Sequence, residues 1–248
     1  MANSSLSKCL STYSPISLDE MESVKLMNRV DTKYVCHVSQ LPAILSAAKE
    51  DYRVQEVAGK RIATYDTVYY DTADLQMYIR HHDQQLTRRK VRIRTYVDTG
   101  AEFLEVKKKN NRGRTKKKRI DYNTDTAADF IAKHTPYDWN QLHPAERTAF
   151  ERITLVNNAK TERLTIDFNL RFEAIDTHAQ ANLGPIVIIE LKRDGLQPSK
   201  MQHILRDMRI FPMKISKYCI GVAMTIPTVK HNRFKEKIVK LNKLKADC

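Results

Sequence analysis

Two Glu-x-Lys pairs, Glu105-x-Lys107 and Glu190-x-Lys192, sit inside apolar runs, flanked by Leu104 and Val106 in one case and by Ile189 and Leu191 in the other. In an extended chain, residues two apart share a face, so each pair sets one carboxylate beside one ammonium with apolar groups opposite. The same alternation gathers Arg88, Lys90, Arg92 and Arg94 against Val91 and Ile93. It also gathers Arg163, Asp167 and Arg171 against Leu164, Ile166, Phe168 and Leu170. Guanidinium forks clamp phosphate oxygens and lysines act as point charges, so a cationic face that recurs in this way suits a linear chain of phosphates. The chemistry such a set supports by itself is the binding and charge neutralisation of phosphates.

Charge placement supports the same chemistry. The formal net charge is +14, and fourteen Lys or Arg lie between Arg88 and Arg119 against Asp98, Glu102 and Glu105. The segment from Val229 to Cys248 adds seven basic residues against two acidic ones, which leaves the rest of the chain near neutral. A field so concentrated calls for a polyanionic partner. Nucleic acid is not the expected one, because the runs Lys107–Lys109 and Lys116–Arg119 lack the interleaved aromatic residues that stack bases. There is no GxxxxGK[ST] and no GxGxxG, and His81, His82 and the other histidines lack zinc spacing. Cys9, Cys36, Cys219 and Cys248 are scattered as free thiols would be. With no apolar leader core and no transmembrane segment, a cytoplasmic protein of one domain, residues 1–248, is expected.

The elements that must position these residues follow from periodicity and caps. Ser17-x-x-Glu20 opens a helix with Leu18, Met21, Val24 and Met27 on its apolar side, and a second helix starts near Ser39. Strands are predicted over 31–37, 52–57, 61–71, 86–97, 101–109, 114–122, 153–156, 163–173 and 186–192. Short helices are predicted over 74–82, 127–134, 144–152, 199–208 and 217–224, with an amphipathic basic helix over 229–248. A single strand with one charged face usually turns it to water. The recurrence of an Arg-rich face with isolated carboxylates instead predicts an α+β fold: a closed antiparallel β-barrel with a basic lumen, surrounded by helices.

The ordered set Val30-Asp31-Thr32-Lys33, Tyr69-Tyr70-Asp71-Thr72, Arg92-Ile93-Arg94, Glu105-Val106-Lys107, Arg163 to Asp167, Glu190-Leu191-Lys192 and Lys214-Ile215-Ser216-Lys217 resembles the vacuolar transporter chaperone (VTC) domain, a family of triphosphate tunnel metalloenzymes (CYTH proteins). The resemblance spans roughly residues 25–224. It implies a polyphosphate polymerase that binds ATP and Mn2+ or Mg2+ and passes the γ-phosphate to a growing polyphosphate chain. It further implies that Lys33, Arg92, Arg94, Lys107, Arg163 and Lys217 are catalytic. Lys118, Arg119, Arg171, Lys192 and Lys214 would bind substrate, the run 116–119 leaving its register open, and Glu190 and Asp167 would hold the metal. Hydrolytic relatives carry an ExExK triplet near the N-terminus, whereas this chain has Arg29, Asp31 and Lys33 there. That departure favours polymerase over triphosphatase, and a non-catalytic polyphosphate-binding or nucleic-acid-binding module is the third reading. Oligomeric state is not legible.

Overall fold

The computed structural model describes residues 2–22, 29–112, 114–195 and 197–246. The predicted helical positions Val24 and Met27 lie outside these residues. In chain order the elements are α1 (Ala2–Ser11), β1 (Pro15–Ile16), α2 (Leu18–Glu22), β2 (Arg29–His37), α3 (Leu41–Ala48), β3 (Tyr52–Gln55), β4 (Ala63–Asp71), α4 (Gln76–His82), β5 (Arg88–Tyr96), β6 (Ala101–Lys109) and β7 (Thr115–Asp121). They continue with α5 (Thr124–His134), β8 (His143–Asn157), β9 (Glu162–Ala174), β10 (Gln180–Asn182), β11 (Ile186–Asp194), α6 (Lys200–Asp207), α7 (Lys217–Thr225) and α8 (Asn232–Ala246).

The strands form one sheet in the order β2-β11-β9-β8-β4-β5-β6-β7, with β3 extending the β4 side of β8 and β10 extending the β11 side of β9. All of these pairings are antiparallel, while the short β1 lies parallel to β3. Lys33 on β2 donates to the Ile215 carbonyl at 3.0 Å, and Lys90 on β5 donates to the hydroxyl of the next residue, Ser216, at 2.6 Å. Five strand spacings of about 4.8 Å would separate β2 from β5 by roughly 24 Å in a flat sheet. The sheet is therefore curled, with the charged side chains on its concave face.

It does not close, which corrects the predicted barrel. Among the described residues β2 and β7 are not paired, and the free side of β2 is instead met by the segment after α6. Pro212 bridges to Tyr34, and Met213 donates to the Lys33 carbonyl at 2.8 Å. Residues 212–216 occupy the slot that a closing strand would need, so the architecture is an open half-barrel. No helix of the described residues is long and apolar enough to cross a membrane.

Three apolar clusters hold the sheet in its curl. On the convex side α1, α3 and α6 cover β2, β11 and β9 through Leu10, Leu41, Ile44, Leu164, Ile189 and Leu205. Further round the same side, α5 covers β5 and β6 through Ala127, Ile131, Val91 and Leu104. The third cluster lies inside the curl, where α7 and α8 pack Tyr218, Val222, Phe234 and Leu241 against Tyr69, Phe150, Phe172 and Ile188. Helix α7 approaches so closely that a Cβ at Gly221 would lie 2.5 Å from Glu146 Oε1 and 2.9 Å from Phe172, so any larger residue there forces these side chains to shift. The concavity is thus plugged by α7 at one end and left to charged residues at the other. Cys9, Cys36 and Cys219 are free thiols.

Two elements differ from the sequence reading. Residues 144–152 form part of the long strand β8 rather than a helix. Ala, Glu and Arg there favour a helix locally, but pairing with β4 on one side and β9 on the other overrides that preference. The N-terminal residues, polar by composition, form α1 and bury Leu6 and Leu10.

Candidate active site

Strands β5, β6 and β7 build the first half of the site by register. Arg92 stands opposite Glu105 and Glu105 opposite Arg119, while the neighbouring row on that face is Lys90, Lys107 and Lys117. Glu105 is fully buried, and its two oxygens accept from Arg92 Nε at 2.7 Å and Lys117 Nζ at 2.8 Å. Arg92 also donates to the Tyr69 hydroxyl at 3.2 Å, and Arg94 to Thr67 Oγ1 at 3.2 Å. Burial alone would raise the Glu105 pKa, but Arg92, Arg94 and Lys117 hold it well below the usual carboxylate range.

Strands β8 and β9 and the start of α7 build the second half. Arg152 meets Asp167 fork to fork at 2.5 and 2.8 Å, and Lys217, at the first position of α7, makes a third bond to the same carboxylate. Ser216 caps α7 by accepting from the Cys219 amide, and this fixes where Lys217 enters. Below them lies an aromatic floor in which Tyr65 stacks on Phe150 with ring centroids 5.2 Å apart. The Lys217 ammonium lies 4.7 Å from the Phe150 centroid, and the Arg152 and Arg94 guanidinium carbons lie 4.9 and 5.3 Å from that of Tyr65.

Strands β2 and β11 supply the remainder. Glu190 stands opposite Lys33 in register, and Lys192 opposite Asp31 on one side and Arg163 on the other. Glu190 pairs with Lys192 at 3.2 Å and keeps about a fifth of its side chain exposed, at 21%. Burial raises its pKa, and Lys192, Lys33, Lys107 and Lys217 overcome that to hold it well below the ordinary value. Lys107 is driven well below the usual lysine range by Arg92 and then by burial, with Glu190 opposing. Glu190 and Lys107, on opposite walls of the curl, therefore feel each other's charge.

These contacts sort three of the concave-face carboxylates, Glu105, Asp167 and Glu190, by what each has left to offer. Glu105 and Asp167 have both oxygens committed to cations, whereas Glu190 has one lysine contact and open surface. Among the described residues no three His, Cys, Asp or Glu side chains gather as metal ligands. That donor set fits a hard divalent cation held by Glu190 and completed by water and phosphate oxygens, and does not form an all-protein cage.

Of the residues singled out by sequence, Lys33, Arg92, Arg94, Lys107, Arg119, Arg163, Lys192, Lys217, Asp167 and Glu190 all lie on the concave face. Lys118 does not. It pairs with Val106 on the convex side, and the register puts Lys117 inside in its place. Arg171 is also turned outward, because a β-bulge between Ala149 and Glu151, with Asn169 at φ 52°, shifts the alternation of β9 by one residue. Lys214 is exposed at the rim, within electrostatic reach of Lys109 and Lys237, and away from the two ion-pair clusters. Arg152 and Glu105 are residues that the sequence reading does not assign to the site, and Lys117 is the member of the open run 116–119 that the register places beside Glu105. Strand parity with Lys107 marked the face of Glu105, the fourfold cation run hid the register of Lys117, and the helix-like composition of 144–152 hid Arg152.

The sequence profile of the VTC domain matches residues 28–140 and 137–226 of this chain. The chain belongs to the VTC domain family. The matched stretches of the VTC domain contain every residue of the concave cluster, and α8 lies beyond them. Among curated proteins no relative was detected by sequence. Solved structures similar in chain trace include a putative adenylate cyclase from Vibrio parahaemolyticus, 13% identical, covering 79% of this chain and 99% of that one with a TM-score of 0.49. Another is a putative adenylyl cyclase from Hippeastrum described as having dominant triphosphatase activity, 13% identical, covering 79% and 95% with a TM-score of 0.47. A third is an RNA triphosphatase of Schizosaccharomyces pombe, 8% identical, covering 90% and 87% with a TM-score of 0.32. At these values the VTC domain resembles them in overall trace alone.

Proposed function

We propose that this VTC domain is a polyphosphate polymerase, binding ATP with Mn2+ or Mg2+ on the concave face and transferring the γ-phosphate to the end of a polyphosphate chain. The observation that carries the proposal is the surplus of cations there: Arg92, Arg94, Arg152, Lys33, Lys107, Lys117 and Lys217 converge on three carboxylates. Unpaired buried cations cost several kcal/mol each, of the order expected for desolvated ions, and a chain of phosphates supplies the missing charge. Arg92, Arg94 and Arg152 would grip phosphate oxygens, their planes set by Glu105, Thr67 and Asp167. Glu190 would hold the divalent cation, which when bound offsets charge on the phosphates.

The polymerase reading is favoured over hydrolysis because Glu105, Asp167 and Glu190 are each paired with Lys or Arg, Asp31 faces Lys192, and Glu146 is buried under α7 against Gly221, away from a water nucleophile. A water nucleophile needs a base, whereas the terminal phosphate of an acceptor chain is already ionised. Use of ATP and the free thiols fit a cytoplasmic setting. The test is to incubate the protein with ATP and Mn2+ and assay long-chain polyphosphate and orthophosphate separately. Polymer with ADP supports the proposal. Orthophosphate without polymer makes the domain a triphosphatase, and the absence of both makes it a binding module.

A further inference from the structure

The sheet carries a second cationic face that the concave site does not use. On the convex side of the β5-β6-β7 ladder, Arg89 stands opposite Lys108 and Lys108 opposite Lys116, three cations in one cross-strand row. Lys118 continues the patch two residues further along β7, about 7 Å away at strand spacing. Directly opposed like charges destabilise a sheet. Nothing inside the described protein offsets them: none of the four makes an ion pair among the described residues, and Arg89 Nε is buried without a hydrogen-bond partner. Lys108, Lys116 and Lys118 are exposed.

We infer that this convex row is a second binding surface for an inorganic polyphosphate chain, which holds polymer outside the curl while its end lies at the concave site. The inference rests on the polymerase reading. Continuity supports it: the next row of the same three strands, Lys90, Lys107 and Lys117, faces the concave site, and the outer edge of β7 is unpaired among the described residues. A chain passing over that edge moves from one cation row to the other through the thickness of a single sheet. The neighbouring aromatic residues are already engaged, with Tyr70 stacked on Trp139 at 4.9 Å and Tyr122 and Tyr137 packed against the α5 cluster, so no base-stacking platform is offered. No exposed large apolar side chain lies on β5, β6 or β7, so nothing there would insert into a lipid surface.

The test compares the wild-type chain with the double variant Lys108→Gln/Lys116→Gln, measuring affinity for tripolyphosphate and for long-chain polyphosphate across a salt series. Removing the like-charge row should leave thermal stability equal or higher, which confirms that the variant is folded. The expected result is unchanged tripolyphosphate affinity, a loss of about tenfold for long-chain polymer and a shallower salt dependence. Unchanged long-chain affinity overturns the inference and leaves the polymerase reading intact. Loss confined to single-stranded RNA or to anionic vesicles run in parallel also overturns it. Wild-type protein that binds neither phosphate ligand overturns both readings.

Discussion

Lys117 and Lys118 are adjacent, identical in type and opposite in placement, so they separate a concave-site role from mere charge. Lys117 bonds Glu105 at 2.8 Å inside the curl, and Lys118 pairs with Val106 on the convex side. Lys117→Met should lower kcat/KM for ATP by roughly tenfold to a hundredfold, the worth of one charge-assisted hydrogen bond. Lys118→Met should change it less than about twofold with tripolyphosphate as acceptor, which is too short to reach the convex row. Glu190→Gln should abolish metal-dependent turnover in a protein that still folds, at some cost in thermal stability, because Lys192, Lys33, Lys107 and Lys217 all favour its charge although only Lys192 bonds it, at 3.2 Å. Asp167→Asn should behave differently. It strips the buried anion from the largely enclosed Arg152 and from Lys217, a loss of about 3–5 kcal/mol by analogy with broken buried pairs. Tripolyphosphate should restore part of that loss in thermal unfolding, since it replaces the missing negative charge.

Helix α7 is the element on which the site turns, since its cap fixes Lys217 and its body plugs the concavity. Gly221→Ala would place a methyl 2.5 Å from Glu146 Oε1 and 2.9 Å from Phe172, with expected destabilisation of about 1–3 kcal/mol from overpacking. Activity should fall with it as Lys217 moves, and adding Glu146→Ala should recover much of the stability, as read by thermal unfolding of both variants. The elements also show what sequence could reveal. Alternation in β5, β6 and β11 was enough to place Arg92, Arg94, Lys107 and Glu190 on one face, because their strands run without interruption. It failed for Arg171 because the bulge at Asn169 breaks the period of two, and no local composition announces it. It failed for Arg152 because β8 owes its conformation to two neighbours distant in sequence rather than to its own residues. Closure was misread for a similar reason: segment 212–216, which blocks it, has no strand pattern of its own.

At the scale of the whole molecule, the site is a cationic hollow kept charged against its own repulsion, and pH should reveal that. Burial drives Lys90 down to about 8, with Lys33, Arg92 and Arg88 adding to it, and drives Lys217 to about 8 despite Asp167. Both folded values lie below the ordinary lysine value of 10.5, so between about 8 and 10.5 the unfolded chain binds more protons at these two groups. These lysines therefore make stability of the free protein rise with pH from about 8, until the buried thiols of Cys36 and Cys219, whose pKa burial raises above the ordinary 9.0, oppose them, with Glu105, Asp167 and Glu190 ionised throughout. His81 is held neutral there, its pKa pushed to about 2 by burial and by Lys90, Arg88, Lys237 and Lys33. Affinity for tripolyphosphate should move the other way, weakening as pH rises through 8 and the two ammonium groups are lost; calorimetric titration at pH 7 and pH 9 checks both signs. The central claim, that this hollow passes a γ-phosphate from ATP to a chain of phosphates, is tested most directly by following the atom. ATP labelled at either the α- or the γ-phosphate is supplied with Mn2+, and the label is located after turnover. The account requires γ-label in long-chain polymer and α-label in ADP, while γ-label recovered only as orthophosphate would contradict it.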